Sequence, residues 1–170
     1  MSDKVSRWIN FSIRPIEASD RDKVDEFICE HWKSAEVAAT GRLLKPSQFP
    51  GFAAELDGQI VGLITYRLEN DQCEIISLNS LQSGKGIGSA LIAAVRTQAA
   101  KAGCRRLWLV TTNDNLYALS FYQKLGFRLA ALHTGAVDQD RTSLKPQIPL
   151  LGENEIPIHD YLELEMNLKS

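Results

Sequence analysis

The segment Leu81-Gln82-Ser83-Gly84-Lys85-Gly86-Ile87-Gly88-Ser89-Ala90-Leu91-Ile92 is a glycine-rich loop that runs straight into a helical pattern. Ahead of it, Cys73-Glu74-Ile75-Ile76-Ser77-Leu78 is a short apolar run with strand character. A strand, a glycine turn and a helix start make an anion site. Glycines admit close approach to backbone N–H groups, and the first helical turn leaves its own N–H groups unpaired. A phosphate or pyrophosphate is the natural occupant. Two nucleotide readings fail on spacing. In a Walker A loop the Lys follows the last Gly and precedes Ser or Thr, whereas Lys85 here precedes Gly86 and Gly88. The dinucleotide fingerprint places its third Gly where Ser89 stands, and an acidic residue about twenty positions on, where Ala102-Gly103-Cys104-Arg105 is found.

A second segment narrows the choice. Arg105-Arg106-Leu107-Trp108-Leu109-Val110-Thr111-Thr112 reads as a buried strand. It is followed by Asn113-Asp114-Asn115-Leu116-Tyr117-Ala118-Leu119-Ser120-Phe121-Tyr122-Gln123-Lys124-Leu125-Gly126-Phe127. Read locally, this is a helix capped by Asn113 or Asn115 and closed by Gly126 just past its end.

Together the two segments resemble the GNAT acyltransferases over roughly the central third of the chain. That family's loop reads Gln/Arg-x-x-Gly-x-Gly/Ala between a strand and a helix, and Gly86-Ile87-Gly88 matches its second half. Ser83 stands at the Gln/Arg position, a departure that affects one side-chain contact and not the backbone cradle. Asn115, Ala118, Tyr122, Gly126 and Phe127 match the family's second motif.

The resemblance implies acetyl-CoA as co-substrate, held by Ser83, Gly84, Lys85, Gly86, Ile87, Gly88 and Ser89, with Asn115 and Tyr122 beside it. It implies that backbone at Leu78, Asn79 and Ser80, where a bulge splays the strand from its parallel neighbour, polarises the thioester. It assigns protonation of the departing thiolate to Tyr122, which otherwise reads as a helix residue with its ring in the core. Glu74 is the candidate base, since many family members use a carboxylate on this strand; otherwise it is a solvated side chain. His31, His133 and His159 are the other candidates, scattered and without metal spacing.

With 170 residues and 44% hydrophobic content, the chain can bury the core of one domain, taken as residues 1–170. A net charge of −2 with interspersed signs gives no footprint for nucleic acid or an anionic membrane. Cys29, Cys73 and Cys104 have no metal or disulfide spacing and read as buried thiols in a reducing cytoplasm, so no metal is expected. The start, Met1-Ser2-Asp3-Lys4, lacks the apolar core of a signal peptide.

In chain order, residues 9–14 alternate as a first strand stopped by Pro15, and Ser19 with Asp22 opens a helix ending near Lys33. A second short helix is expected at 34–39, then a loop over 41–50. Asp57-Gly58 joins strands 52–56 and 60–67 as a two-residue hairpin. A long helix spans 86–102 with Ile87, Leu91, Ala94, Val95, Gln98 and Ala102 on its face. Strands at 127–132 and 160–166 close the sheet. The stretch 134–158 shows little periodicity, and a loop this long is functional or disordered as a rule; it either covers the acceptor pocket or packs in a homodimer interface.

The expected fold is α/β: a single-domain GNAT fold with a mixed, mostly antiparallel sheet, helices on both faces and a splayed central strand pair. The expected activity is direct acetyl transfer from acetyl-CoA to a primary amine of a small molecule or peptide. The alternatives are a catalytically weak CoA-binding sensor of the same fold, or a nucleotide-binding module.

Overall fold

The computed structural model describes residues 10–82 and 84–168. Its elements in chain order are β1 (Ser12–Pro15), α1 (Arg21–Trp32), β2 (Val37–Ala39), β3 (Arg42–Leu44), β4 (Gly51–Leu56), β5 (Gln59–Glu69) and β6 (Gln72–Ser80). Then follow α2 (Ile87–Lys101), β7 (Arg106–Thr112), α3 (Leu116–Lys124), β8 (Arg128–His133), α4 (Ala136–Ser143) and β9 (Tyr161–Asn167). Seven strands form one sheet in the order β1-β4-β5-β6-β7-β9-β8, and β2 with β3 makes a separate hairpin. Every neighbouring pair in the large sheet is antiparallel except β6 and β7. The fold is α/β, as expected.

Alternation along the strands puts helices on both faces. Ala53 and Leu63 pack with Val24, Phe27 and Ile28 of α1, while Ala54 and Ile64 pack with Ile87, Leu91 and Val95 of α2. Helix α2 lies close on the sheet because Gly62 has no side chain: a Cβ there would sit 2.5 Å from Ile87 Cγ2. Its buried face is Ile87, Leu91, Ile92, Val95 and Ala99. It is therefore turned slightly from the expected one, and Ala94 and Gln98 are only half-buried.

Several local expectations change. Pro15 ends β1 from within, paired with Phe52; β1 is an edge strand, where a residue lacking N–H is tolerated. The start of α1 is organised by Asp20, whose carboxylate accepts the Glu17 N–H at 2.8 Å, and not by Ser19 and Asp22. Where a second helix and a loop were expected, the chain forms the β2–β3 hairpin, turning at Thr40 and Gly41, both at positive φ. The expected turn at Asp57-Gly58 is present with φ of 51° and 77°, as a type I′ hairpin requires. The stretch 134–158 is ordered, containing α4 and a bridge between Leu151 and Pro157. Val137, Ile158 and Tyr161 give it a small core of its own. Cys29 is exposed, whereas Cys73 and Cys104 are buried, and burial pushes the Cys73 thiol up to about 12. No helix among the described residues is long and apolar enough to cross a membrane.

The entry to α1 is tied to β1 by a bidentate pair, Arg14 Nη1 and Nη2 to the Asp20 oxygens at 2.7 and 3.0 Å. That pair, helped by the Glu17 N–H, lowers the Asp20 carboxyl from 3.8 to about 2. A depressed folded value means the pair contributes fully above the unfolded value and is lost as pH falls through the folded one. Urea titrations should therefore show wild type losing more stability between pH 3.8 and 2 than Asp20→Asn does. Equal losses would show that other carboxylates govern acid unfolding.

Candidate active site

Strands β6 and β7 pair over only three positions, Gln72 with Arg106, Cys73 with Leu107 and Glu74 with Trp108. The reason lies in β6. Its register against β5 shifts between Thr65↔Ser77 and Tyr66↔Ile75, leaving Ile76 as an extra residue. A bulge of this kind bends its strand and ends local pairing. Past it, β6 stays on β5 and β7 stays on β9, and a wedge opens between them. The bulge sits earlier than the expected position at the strand end.

The wedge is a cleft of about 480 Å³, lined by Ile75, Ile76, Leu78, Ser80, Leu109 and Val110 along its strands. Backbone polarity follows from the ladder. Leu81 N–H donates to Val61 O at 2.9 Å, so in the alternating antiparallel pattern Asn79 also bonds towards β5, while the backbone groups of Leu78 and Ser80 face the cleft. Leu78 and Ser80 line the cleft; Asn79, expected with them, does not.

At one end of the cleft stands the start of α2. Gly84 and Gly86 have φ of 74° and 79°, conformations that strain any residue with a Cβ. The first intrahelical bond runs from Ala90 N to Gly86 O, so helix geometry leaves the amides of Ile87, Gly88 and Ser89 to point out of the helix end. A Cβ on Gly88 would lie 3.1 Å from Phe121 Cζ, which brings α3 tightly onto this turn. Gly84, Gly86, Ile87, Gly88 and Ser89 all line the cleft, and Lys85 does not. Ser83 lies outside the described residues. Gln82, one place before the family position, lines the cleft and was missed.

Asn115 caps α3, its Oδ1 accepting the Ala118 N–H at 3.1 Å, and lines the cleft. The Tyr122 ring is held edge-on between Phe121 and Phe127, with centroids 5.2 and 5.4 Å away. It also lines the cleft, and burial pushes its phenol well above the ordinary value.

Glu74 is buried where the β6–β7 pairing ends. Arg42 Nη1 and Nη2 hold its two oxygens at 2.8 and 2.6 Å, and Arg67 Nη2 reaches it at 3.2 Å. Its acceptor capacity is engaged in fixing the β2–β3 hairpin to the sheet. The histidines are elsewhere: His31 stacks on Phe27 with Nδ1 2.8 Å from Phe27 O, His133 contacts Glu163, and His159 contacts Asp138. None of the three lines the cleft. Trp32, beside His31, does; its signal in the sequence was a large ring in the last turn of α1.

A second cavity of about 180 Å³ continues the cleft beneath the hairpin. Trp32, Ile75, Ile76, Val110, Thr111 and Asn115 line both, so the two spaces meet at the opened strand pair.

This geometry agrees with what known proteins show. Residues 12–127 match the acetyltransferase (GNAT) family, and the chain belongs to it. The chain is thus an acyltransferase of the acetyl-transferring class. It is 43% identical over 150 residues to the uncharacterized protein YxbD of Bacillus subtilis strain 168, covering 88% of this chain and 94% of that one. In fold it resembles the IAA acetyltransferase of Bacillus cereus, with a TM-score of 0.71 at 20% identity over 93% of this chain and 99% of that one. It also resembles a GNAT family acetyltransferase from Elizabethkingia anophelis with acetyl-CoA bound, with a TM-score of 0.67 at 20% identity over 93% and 98%.

The Arg42–Glu74 pair can be tested directly. Removing Arg42 takes the two-point partner from the buried Glu74 carboxylate and leaves it the 3.2 Å contact to Arg67, a loss of up to about 3 kcal/mol. Arg42→Ala should lower unfolding free energy by an amount of this order, and Arg42→Ala/Glu74→Gln should recover part of it. A double variant as unstable as the sum of the two singles would show that the two side chains act independently.

Proposed function

We propose that the protein transfers an acetyl group from acetyl-CoA directly to a primary amine. One observation carries this reading. A single continuous cleft joins the glycine turn of α2 to a second cavity, and the opened β6–β7 pair lies between them. A long co-substrate anchored by its phosphates at the turn can lay its arm along β6 and bring its thioester to the junction, while an acceptor enters from the hairpin side.

The fit rests on this chain's own groups. The amides of Ile87, Gly88 and Ser89 suit a pyrophosphate. The backbone groups of Leu78 and Ser80 suit the amide-bearing arm. Acetyl-CoA supplies the activated acyl group: the amine nitrogen attacks the thioester carbonyl carbon, the C–N bond forms and the C–S bond breaks. Backbone amides at the open strand edge would stabilise charge developing on the carbonyl oxygen. Tyr122 would deliver its proton to the departing sulfur. The ammonium proton would leave by water, because Glu74 has to break its Arg42 pair before accepting one. Lys85 and Asn79 take no part in this scheme. The free thiols of Cys29, Cys73 and Cys104 suit a reducing, cytoplasmic setting.

Acetyl-CoA should raise the melting temperature by mass action, by about 2.7 kcal/mol of stability at a hundredfold excess over Kd. Gly86→Val, which forces a branched side chain into positive φ, should remove most of that gain. Equal stabilisation by ATP, or none by acetyl-CoA, would overturn the assignment of the cleft.

Tyr122→Phe keeps the ring packing and removes the proton. Turnover with a good acceptor should fall by about 10²-fold while acetyl-CoA affinity changes little. Turnover near wild type would show that water protonates the thiolate.

A further inference from the structure

The cavity under the β2–β3 hairpin says what kind of amine fits. Trp32, Val37, Leu44, Ile76 and Val110 give it apolar walls, and Thr111 and Tyr161 are neutral. Among the described lining residues Glu74 is the one carboxylate, and Arg42 and Arg67 occupy its oxygens. Just behind the wall, Asp140 is equally engaged. Its oxygens accept the Tyr161 hydroxyl at 2.8 Å and the Gly41 N–H at 2.9 Å. Glu153 lines the longer cleft, exposed to water, and not this cavity. The cavity's 180 Å³ also falls below the roughly 300–1,000 Å³ of sites for drug-sized ligands.

From this we infer, resting on the amine-acetyltransferase reading, that the acceptor is a small monoamine with an apolar body, and that diamines and polycations are rejected. The apolar part fills the space between Trp32 and the hairpin. The single amino group meets the thioester at the junction. Desolvation between these walls favours the neutral form of that amine, which is the nucleophilic one. A second ammonium on the same molecule would be buried with no unpaired carboxylate among the described lining residues to meet it, a costly arrangement.

The test compares acceptors of matched length on the intact chain. Acetyl-CoA binding is first measured by calorimetry. Then kcat/KM is measured by CoA release for pentylamine, benzylamine, 1,5-diaminopentane and spermidine. The monoamines should exceed the diamine by about 10²-fold, the penalty expected for one uncompensated charge. Leu44→Asp, which puts a free carboxylate in the wall, should narrow that ratio about tenfold with acetyl-CoA binding retained. Diamine or spermidine turnover equal to or above the monoamines overturns the inference, as does turnover confined to peptide amines. An unchanged ratio in Leu44→Asp with acetyl-CoA still bound overturns it too. Failure of the underlying reading looks different: no acetyl-CoA binding, or binding without turnover of any amine.

Discussion

The extra residue at Ile76 separates two strands that would otherwise zip together. Paired strands satisfy each other's backbone groups, and opening a sheet from within leaves those groups without partners. Here each strand keeps its outer partner: β6 remains on β5 to Ser80, and β7 remains on β9 to Thr112. The cost of opening falls only on the inner edges, where water or a bound co-substrate can take over the hydrogen bonds. Cleft walls, exposed strand amides and the junction between the two cavities all follow from that separation. The buried contact between Thr65 Oγ1 and Ser77 Oγ, 2.7 Å, sits beside the bulge and links β5 to the bent strand.

The hairpin over the second cavity has a different kind of support. It belongs to no part of the large sheet. Polar contacts pin it instead: Arg42 to Glu74 on one side, Gly41 N–H to Asp140 on the other, and Lys145 Nζ to Glu36 O at its approach. Charged groups near the site are thus used to hold geometry. A carboxylate that looks catalytic by its place on the strand is, in the fold, the anchor for a wall. The same division separates the histidines from the cleft, since each is engaged by a neighbour away from it.

How far the sequence could be read depends on the range of the interactions that settle each element. The turn at Asp57-Gly58, the glycine turn into α2 and the Gly126 stop depend on a few adjacent residues and were legible, and the cap of α3 was narrowed to Asn113 or Asn115, of which Asn115 fills it. The β2–β3 hairpin was not. Val37-Ala38-Ala39 has weak strand character, and what holds the turn is Asp140, 99 residues along the chain from Gly41. Helix α4 is polar, with only Val137 and Asp140 buried, so no apolar stripe announced it. Its core partners, Ile158 and Tyr161, come from later in the chain.

The sequence alone determined the order of the central elements and the glycine turn that opens α2. These are matters of backbone conformation, hydrophobic period and side-chain identity, all local. Tertiary structure alone decided where β6 bends, which strand amides face the cleft, that Glu74 is matched by Arg42, and that Trp32 lines both the cleft and the second cavity. Each of those depends on a register or a contact between segments far apart in the chain, and neither the step at Ile76 nor the partner of a buried charge is written in the residues next to it.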